Sequence, residues 1–335
     1  MEKIIRSWWA AELGAVGVGL SIIAAPLSWL WACMAWLRDQ QFSRYPGGEV
    51  GGLAVVSVGN LAVGGTGKTP VAARIAKLIA DTGLRTWVVT STKGRDEALL
   101  HQAWNECIPV IVDSDRTSGA IRAQEEGAQV VILDDGFQHR RLGRTLDIVL
   151  LSAEDRYPGR LLPAGPYREG LSALSRADAV FVTRRAAPIS SARKIEEELE
   201  RRFPGKLKGH IQLVPGSWIR VDGRPAQLES TDVLAVCAVA RSQLFKTIVA
   251  EKVNGMVELA VFADHHEYNR REVIKLRQRA GKRPIVTTEK DAIKLRSYQD
   301  VIGEAYALTE ELKWDWGEVE LDEIIRSVAG QALNA

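Results

Sequence analysis

The sequence predicts an α/β protein: a mainly parallel sheet domain, a smaller second α/β domain, and an N-terminal membrane-associated helix ahead of both. Three observations predict it. From about residue 53 onward, short apolar runs alternate with amphipathic stretches, and strands alternating with helices imply a parallel sheet covered on both faces. A glycine-rich loop stands between the first such strand and the first such helix. Leu13 to Leu37 runs for 25 residues without a charge, and five of the ten tryptophans lie in or beside it.

The elements follow in order. Leu13–Leu37 exceeds the roughly 20 apolar residues that span a bilayer core, and tryptophans near its ends fit the aromatic enrichment of membrane interfaces. A cleaved signal peptide has a shorter apolar core, and a buried core helix shows a polar face. Residues 1–44 are therefore expected to be the anchor, and Tyr45–Gly52, rich in glycine, a flexible joint behind it. Residues 50–211 form the first domain. Its expected strands are 53–58, 86–90, 110–112, 130–133, 148–151 and 179–183, with helices at 69–82 and 191–202. Around 212–230, Pro215-Gly216 and Asp222-Gly223 read as turns of a β-ribbon or linker. A second α/β pattern fills 231–330, with strands near 233–239, 257–262 and 285–287.

Composition sets limits. A length of 335 residues fits about two domains at roughly 150 residues each. Lys+Arg (44) and Asp+Glu (42) nearly cancel to a net +2, which argues against a nucleic-acid partner. Cys33, Cys107 and Cys237 are too few and too far apart for a disulfide framework, which points to a reducing compartment.

The strongest motif is Val58-Gly-Asn-Leu-Ala-Val-Gly-Gly-Thr-Gly-Lys-Thr-Pro70. Its strand–loop–helix setting is that of a phosphate-binding loop, so the first domain is P-loop NTPase-like. The loop Ala62, Val63, Gly64, Gly65, Thr66, Gly67, Lys68 and Thr69 is expected to cradle the phosphates of ATP. Backbone N–H groups point at phosphate oxygens, Lys68 reaches the β/γ-phosphates, and the Thr69 hydroxyl ligates Mg²⁺. The strict pattern G-x-x-x-x-G-K-[ST] fails only at its first position, Ala62. Asp134 and Asp135 follow the aliphatic run Val130–Leu133, at the carboxyl end of a parallel strand, where a second Mg²⁺ ligand belongs. Either acid also reads as a turn-former before Gly136.

With these motifs in view, the sequence resembles the tetraacyldisaccharide 4′-kinases of lipid A biosynthesis. The resemblance rests on Ser57-Val-Gly-Asn-Leu61 with Gly64–Pro70, Asp134-Asp-Gly-Phe-Gln-His-Arg-Arg-Leu142 and Leu162-Pro-Ala-Gly-Pro-Tyr-Arg-Glu169. It continues in Phe262-Ala-Asp-His-His266 and Thr287-Thr-Glu-Lys-Asp-Ala-Ile-Lys-Leu295. It implies transfer of the ATP γ-phosphoryl group to the 4′-hydroxyl of a tetraacyldisaccharide 1-phosphate, with an active cleft between the two domains. The partners it implies are an acylated disaccharide lipid and the membrane, with no obligate protein partner. It also implies attachment to the cell inner membrane, peripheral or by a single helix, with the catalytic body on the cytoplasmic side. Asp96, in a match to the family's Gly-Asp-Glu-Pro, is implied to activate the hydroxyl, with His265 as its orienting partner and His266 as the alternative. Asp96 and Glu97 equally read as N-terminal acids of a helix over 98–105. Arg140, Arg141 and Arg144 read either as phosphate ligands or as a solvated face, His139 as support for the metal-site loop, and Arg168 as a substrate contact. Thr288, Glu289, Lys290 and Asp291 are expected to shape the second domain's edge of the cleft.

The family's Ser-Arg-Gly-Tyr stretch is missing, its Gly and Pro around the acid are Arg95 and Ala98, and its glycine-rich turn in the second domain reads Cys237-Ala-Val-Ala-Arg241. These departures surround the acceptor site more than the ATP site. A rival reading is a membrane-tethered P-loop NTPase switch acting on a protein partner, although no guanine-specificity motif is visible. A third is a soluble-substrate kinase with an incidental anchor.

Overall fold

A computed structural model describes residues 2–9, 13–45, 47–92, 95–155, 159–228, 232–239, 241–264 and 266–334. The chain begins with α1 (Glu2–Trp9) and α2 (Gly14–Arg44), then β1 (Ala54–Asn60), α3 (Lys68–Ala80), β2 (Thr86–Thr90), α4 (Arg95–Trp104) and β3 (Val110–Val112). It continues through α5 (Arg116–Glu125), β4 (Val130–Asp134), β5 (Leu146–Ser152), β6 (Ala179–Arg184), α6 (Ile189–Arg202) and β7 (Leu207–Arg220). Next come β8 (Val233–Cys237), α7 (Ser242–Lys252), β9 (Val257–Val261), α8 (Arg270–Ala280) and β10 (Ile285–Thr288). The last elements are α9 (Glu289–Leu295), α10 (Gln299–Ile302), β11 (Ala305–Trp316) and α11 (Glu318–Asn334).

The chain divides into two compact units, residues 1–93, 108–212 and 314–335 in the first and 94–107 with 213–313 in the second. This differs from the expected continuous bodies in two places. Helix α4, with Asp96, belongs to the second unit because it packs on α9, and α11 returns to the first because it packs on α3 and β1.

In the first unit the strands lie in the order β3-β2-β4-β1-β5-β6-β7. The pairs of β1 with β4 and β5, of β2 with β3 and β4, of β5 with β6 and of β6 with β7 are all parallel. Every residue of β1 and β4 is buried, as aliphatic runs covered on both faces must be. The β1–β4 register sets Val58 opposite Asp134, which brings the end of the aliphatic run beside the start of the glycine-rich loop. Helix α3 turns Val71, Ile75 and Ile79 inward at helical spacing.

In the second unit β11, β10, β8 and β9 are neighbours in that order and also parallel. Their apolar side chains enclose the core of Leu234, Val236, Val273, Leu276, Ile285 and Leu295. The turn expected at Pro215-Gly216 is instead interior to β7. The pairing of β6 with β7 ends at Arg184↔Gln212, so the N–H that Pro215 lacks removes no bond from that ladder. The turn at Asp222-Gly223 is present, closed by Arg220 accepting from the Gly223 N–H at 2.8 Å.

Helix α2 is 31 residues long, with Pro26 inside it, and from Val16 it is long and apolar enough to cross a membrane. The joint behind it is not a free tether: Gly48 N–H donates to Arg141 O at 3.0 Å, and Gly143 N–H donates to Gly48 O at 2.8 Å. Nor does α2 stand apart from the first unit. The Trp31 indole donates to Arg168 O at 2.8 Å, and Arg38 to Gln138 O at 2.7 Å. Ser28 Oγ donates to Leu161 O and accepts from Ala164 N–H. The outer side of α2 is a continuous apolar stripe, Val16, Leu20, Ile23, Leu27, Leu30, Met34 and Leu37, all exposed at alternating spacings of four and three.

Candidate active site

The glycine-rich loop closes onto the N-terminus of α3. Gly67, its N-cap, has φ +86, a left-handed conformation that a residue with a Cβ reaches only at a cost. The loop is braced from four directions. Asn60 Nδ2 donates to Thr66 Oγ1 at 3.0 Å, Thr183 Oγ1 to Thr66 O at 2.8 Å, Arg185 to Gly65 O at 2.6 Å, and Val63 N–H to Pro166 O at 2.8 Å. A Cβ on Gly59 would stand 2.5 Å from Phe137 Cβ, so the Val-Gly-Asn and Gly-Phe-Gln motifs are two sides of one close contact. Gln138 completes it by donating to Asn60 O at 2.8 Å.

Lys68 reaches back over the loop to Gly64 O at 3.5 Å and across to Asp135 Oδ1 at 3.6 Å. Arg168 grips the same carboxylate at 3.1 Å and touches Gln138 Oε1 at 3.1 Å. Burial works against ionisation of Asp135, but Lys68 and Arg168 outweigh it and hold its carboxyl below the ordinary carboxylate range. Asp135 also has φ +56, the one non-glycine residue with positive φ among the described residues. Asp134 is buried at the end of β4, its carbonyl accepting from Arg116 at 3.0 Å.

Thr69 and Asp134 supply a hydroxyl and a carboxylate, the hard oxygens that magnesium takes. No group of three or more His, Cys, Asp or Glu gathers among the described residues.

The arginines sort themselves by partner. Arg144 donates to the carbonyls of Gly136, His139 and Leu142 and pairs with Asp147 at 3.1 Å, so it wires the turn after β4. Arg140 pairs with Asp39 of α2, and Arg176 lies 4.0 Å above the Phe137 ring. His139 contacts Asp115 Oδ1 at 3.1 Å; burial lowers its pKa, outweighing the pull of Asp115 the other way.

In the second unit, Asp96 lies in the first turn of α4 and is almost wholly buried. Lys290 and Lys294 both reach its Oδ2, at 3.1 and 3.3 Å. His265 lies outside the described residues, as do Lys93 and Gly94 just ahead of α4. His266 stacks on Phe262 at 4.7 Å and contacts Glu272 at 3.1 Å. Thr288 caps α9, and Asp291 is buried, receiving Ala238 N–H, Thr288 Oγ1 and Tyr268 OH. Burial pushes the Asp291 carboxyl up, against those hydrogen bonds and Lys294. Glu289 accepts from the Trp104 indole at 2.9 Å, fastening α4 to α9.

Asn60, Thr183 and Arg185 as supports of the loop, Arg116 on the Asp134 carbonyl and Lys294 as a partner of Asp96 were not foreseen from the sequence. Only Lys294 carried a signal, its i,i+4 spacing from Lys290 on one helix.

The model of the tetraacyldisaccharide-1-P 4′-kinase family matches residues 20–92 and 89–329. The chain belongs to the tetraacyldisaccharide 4′-kinase family. It is 31% identical over 331 residues to the tetraacyldisaccharide 4′-kinase of Anaeromyxobacter sp. (strain Fw109-5), covering 88% of each chain. It is 35% identical over 270 residues to that of Xanthomonas axonopodis pv. citri (strain 306), covering 73% of this chain and 75% of the relative. The fold is that of an "apo" form of LpxK from Aquifex aeolicus solved in complex with ATP. The two superpose with a TM-score of 0.70 at 24% identity, over 92% of this chain and 99% of that one. Membership of this kinase family makes the chain an ATP-dependent phosphotransferase of lipid A biosynthesis.

Proposed function

We propose that this chain transfers the γ-phosphoryl group of ATP to the 4′-hydroxyl of a tetraacyldisaccharide 1-phosphate at the cytoplasmic face of a membrane. The observation that carries the reading is Lys68 at the head of α3, over a braced glycine loop and beside Asp135 and Arg168. The names of the relatives and the ATP held by the Aquifex aeolicus structure support the same substrates.

The loop N–H groups and the α3 terminus bind the nucleotide phosphates, and Lys68 neutralises the β/γ-phosphates. Its contacts to Gly64 and Asp135 are long, so a phosphate oxygen competes with them readily. Thr69 and Asp134 would hold Mg²⁺, with Asp135 as a further carboxylate; the ion would spread the charge of the transferring group. Arg168, bound through Asp135 and Gln138, is assigned to the acceptor, and its main chain is tied to α2 through Trp31. Asp96, with His265 as its orienting partner, takes the proton of the 4′-hydroxyl. As the acceptor oxygen–phosphorus bond forms, the bond to the bridging oxygen breaks, and its electron pair leaves with ADP.

The exposed stripe of α2 supplies the membrane attachment that an acylated substrate requires. The test is an ATP-dependent assay with acylated disaccharide 1-phosphate in mixed micelles. The wild type should give the 4′-phosphorylated lipid, and Lys68→Ala should lower kcat/KM about a hundredfold or more. Mg-ATP binding without any lipid product would sink the reading.

A further inference from the structure

Lys294 raises a question of cost. Its side chain is 5% exposed and that of Asp96 3%, and a buried ammonium is costly unless it is paired and hydrogen-bonded. Helix α9 brings it there together with Lys290, one turn away on the same face. Two ammonium groups therefore converge on one carboxylate oxygen, Oδ2, while Oδ1 accepts from Glu97 N–H at 3.2 Å. Stability alone would favour an apolar side chain of similar size at a buried position such as Lys294, since replacing buried ions with well-packed hydrophobes is often neutral or stabilising.

The second contact of Lys294 gives it a purpose. Its Nζ donates to His266 O at 3.1 Å, so one ammonium joins the first turn of α4 to the chain segment that follows β9. That segment is fixed on its far side by His266 on Glu272 and by the Phe262, His266 and Tyr268 rings. The helix carrying Lys294 is itself held by Asp291, through Ala238, Thr288 and Tyr268.

We propose that Lys294 is a positioning residue for phosphoryl transfer: shared between Asp96 Oδ2 and the His266 carbonyl, it fixes the direction in which Asp96 presents its carboxylate to the acceptor hydroxyl. Lys290 serves the same oxygen from the more exposed side. The inference rests on Asp96 being the group that accepts the hydroxyl proton. Among the described residues, the charged and titratable groups on the elements packed around Asp96 are Arg95, Glu97 and His101 on α4, Glu289, Lys290, Asp291 and Lys294 on α9, and His266 beyond β9.

The experiment compares wild type, Lys294→Met, Lys294→Arg and Asp96→Asn in the full chain with micellar lipid substrate. Steady-state kinetics would be run from pH 5 to 9, alongside thermal unfolding. Lys294→Met should lower kcat at least tenfold and leave KM for ATP within about twofold of wild type. It should also move the acid limb of kcat to higher pH, because an ammonium beside a carboxylate favours its ionised form. Lys294→Arg should keep the wild-type acid limb and recover most of the lost kcat, and it carries the test if the Met variant does not fold. An unchanged acid limb in Lys294→Met, with only the unfolding temperature lowered, overturns the proposal in favour of a purely structural ion pair. An Asp96→Asn variant that keeps wild-type kcat and acid limb removes the base assignment itself, and the proposal falls with it.

Discussion

At the scale of single residues, the first unit holds two carboxylates whose surroundings push them in opposite directions. Asp135, between Lys68 and Arg168, is held ionised, whereas burial pushes the Asp147 carboxyl from 3.8 up to about 6, although Arg144 stands 3.1 Å away. Asp147 is protonated in the native state at a pH where it is already ionised in the unfolded chain. Its contribution to stability is therefore fully present below about pH 4 and is lost as pH rises through about 6. Two pKa units correspond to about 3 kcal/mol at most. Denaturation midpoints of wild type and Asp147→Asn at pH 7.5 and 5 measure this. Wild type should gain stability relative to the variant on acidification, and a pH-independent difference would show that burial does not govern the group. Asp135 was legible as an acid following a strand, but its φ of +56 and its two cationic partners were not. Those partners depend on where residues 67 and 33 positions away in the chain meet, and no local pattern encodes that.

At the scale of elements, β2 and β3 were legible to the residue because a short run of three apolar positions between polar or proline neighbours leaves little choice. The loop and α3 were legible because glycine, lysine and threonine at that spacing have one good use. What escaped were features decided by packing: the return of α11 to the first unit, the pinning of Gly48, and the unbroken β7 through Pro215. Helix α2 shows the difference most clearly. Its uncharged stretch as far as Leu37 has no polar face in sequence, yet the fold gives it two sides. Ala24 and Ser28 face the body, Trp31 ties to it, and the stripe from Val16 to Leu37 points outward. If that stripe enters lipid, burying Leu27 and Leu30 contributes about 1.5–3 kcal/mol each. Leu27→Glu with Leu30→Glu should then reduce co-sedimentation with phospholipid vesicles by about a hundredfold and leave the unfolding temperature within about 2 °C. Equal sedimentation of both proteins would separate α2 from the membrane.

At the scale of the whole molecule, the division into two units makes a genetic separation of functions testable. The phosphate loop, Lys68, Thr69, Asp134 and Asp135 all belong to the first unit, whereas Asp96 with Lys290 and Lys294 belongs to the second. On the proposed reading, nucleotide affinity is set by the backbone N–H groups and charges of the first unit. Proton acceptance from the alcohol matters only once the acceptor is bound, so it belongs to turnover. Asp96→Asn preserves volume and leaves an oxygen for Lys290 and Lys294, which makes it a mild change to the fold. It should leave the dissociation constant for ATP within about twofold while lowering kcat by roughly a hundredfold, the scale of losing one general base. Lys68→Ala should weaken both, because the same ammonium serves the bound nucleotide and the transferring group. Equilibrium ATP binding and single-turnover lipid phosphorylation on the same preparations decide it. If Asp96→Asn lost ATP affinity in step with turnover, the carboxylate would be part of the nucleotide site, and the assignment of activation to the second unit would have to be given up.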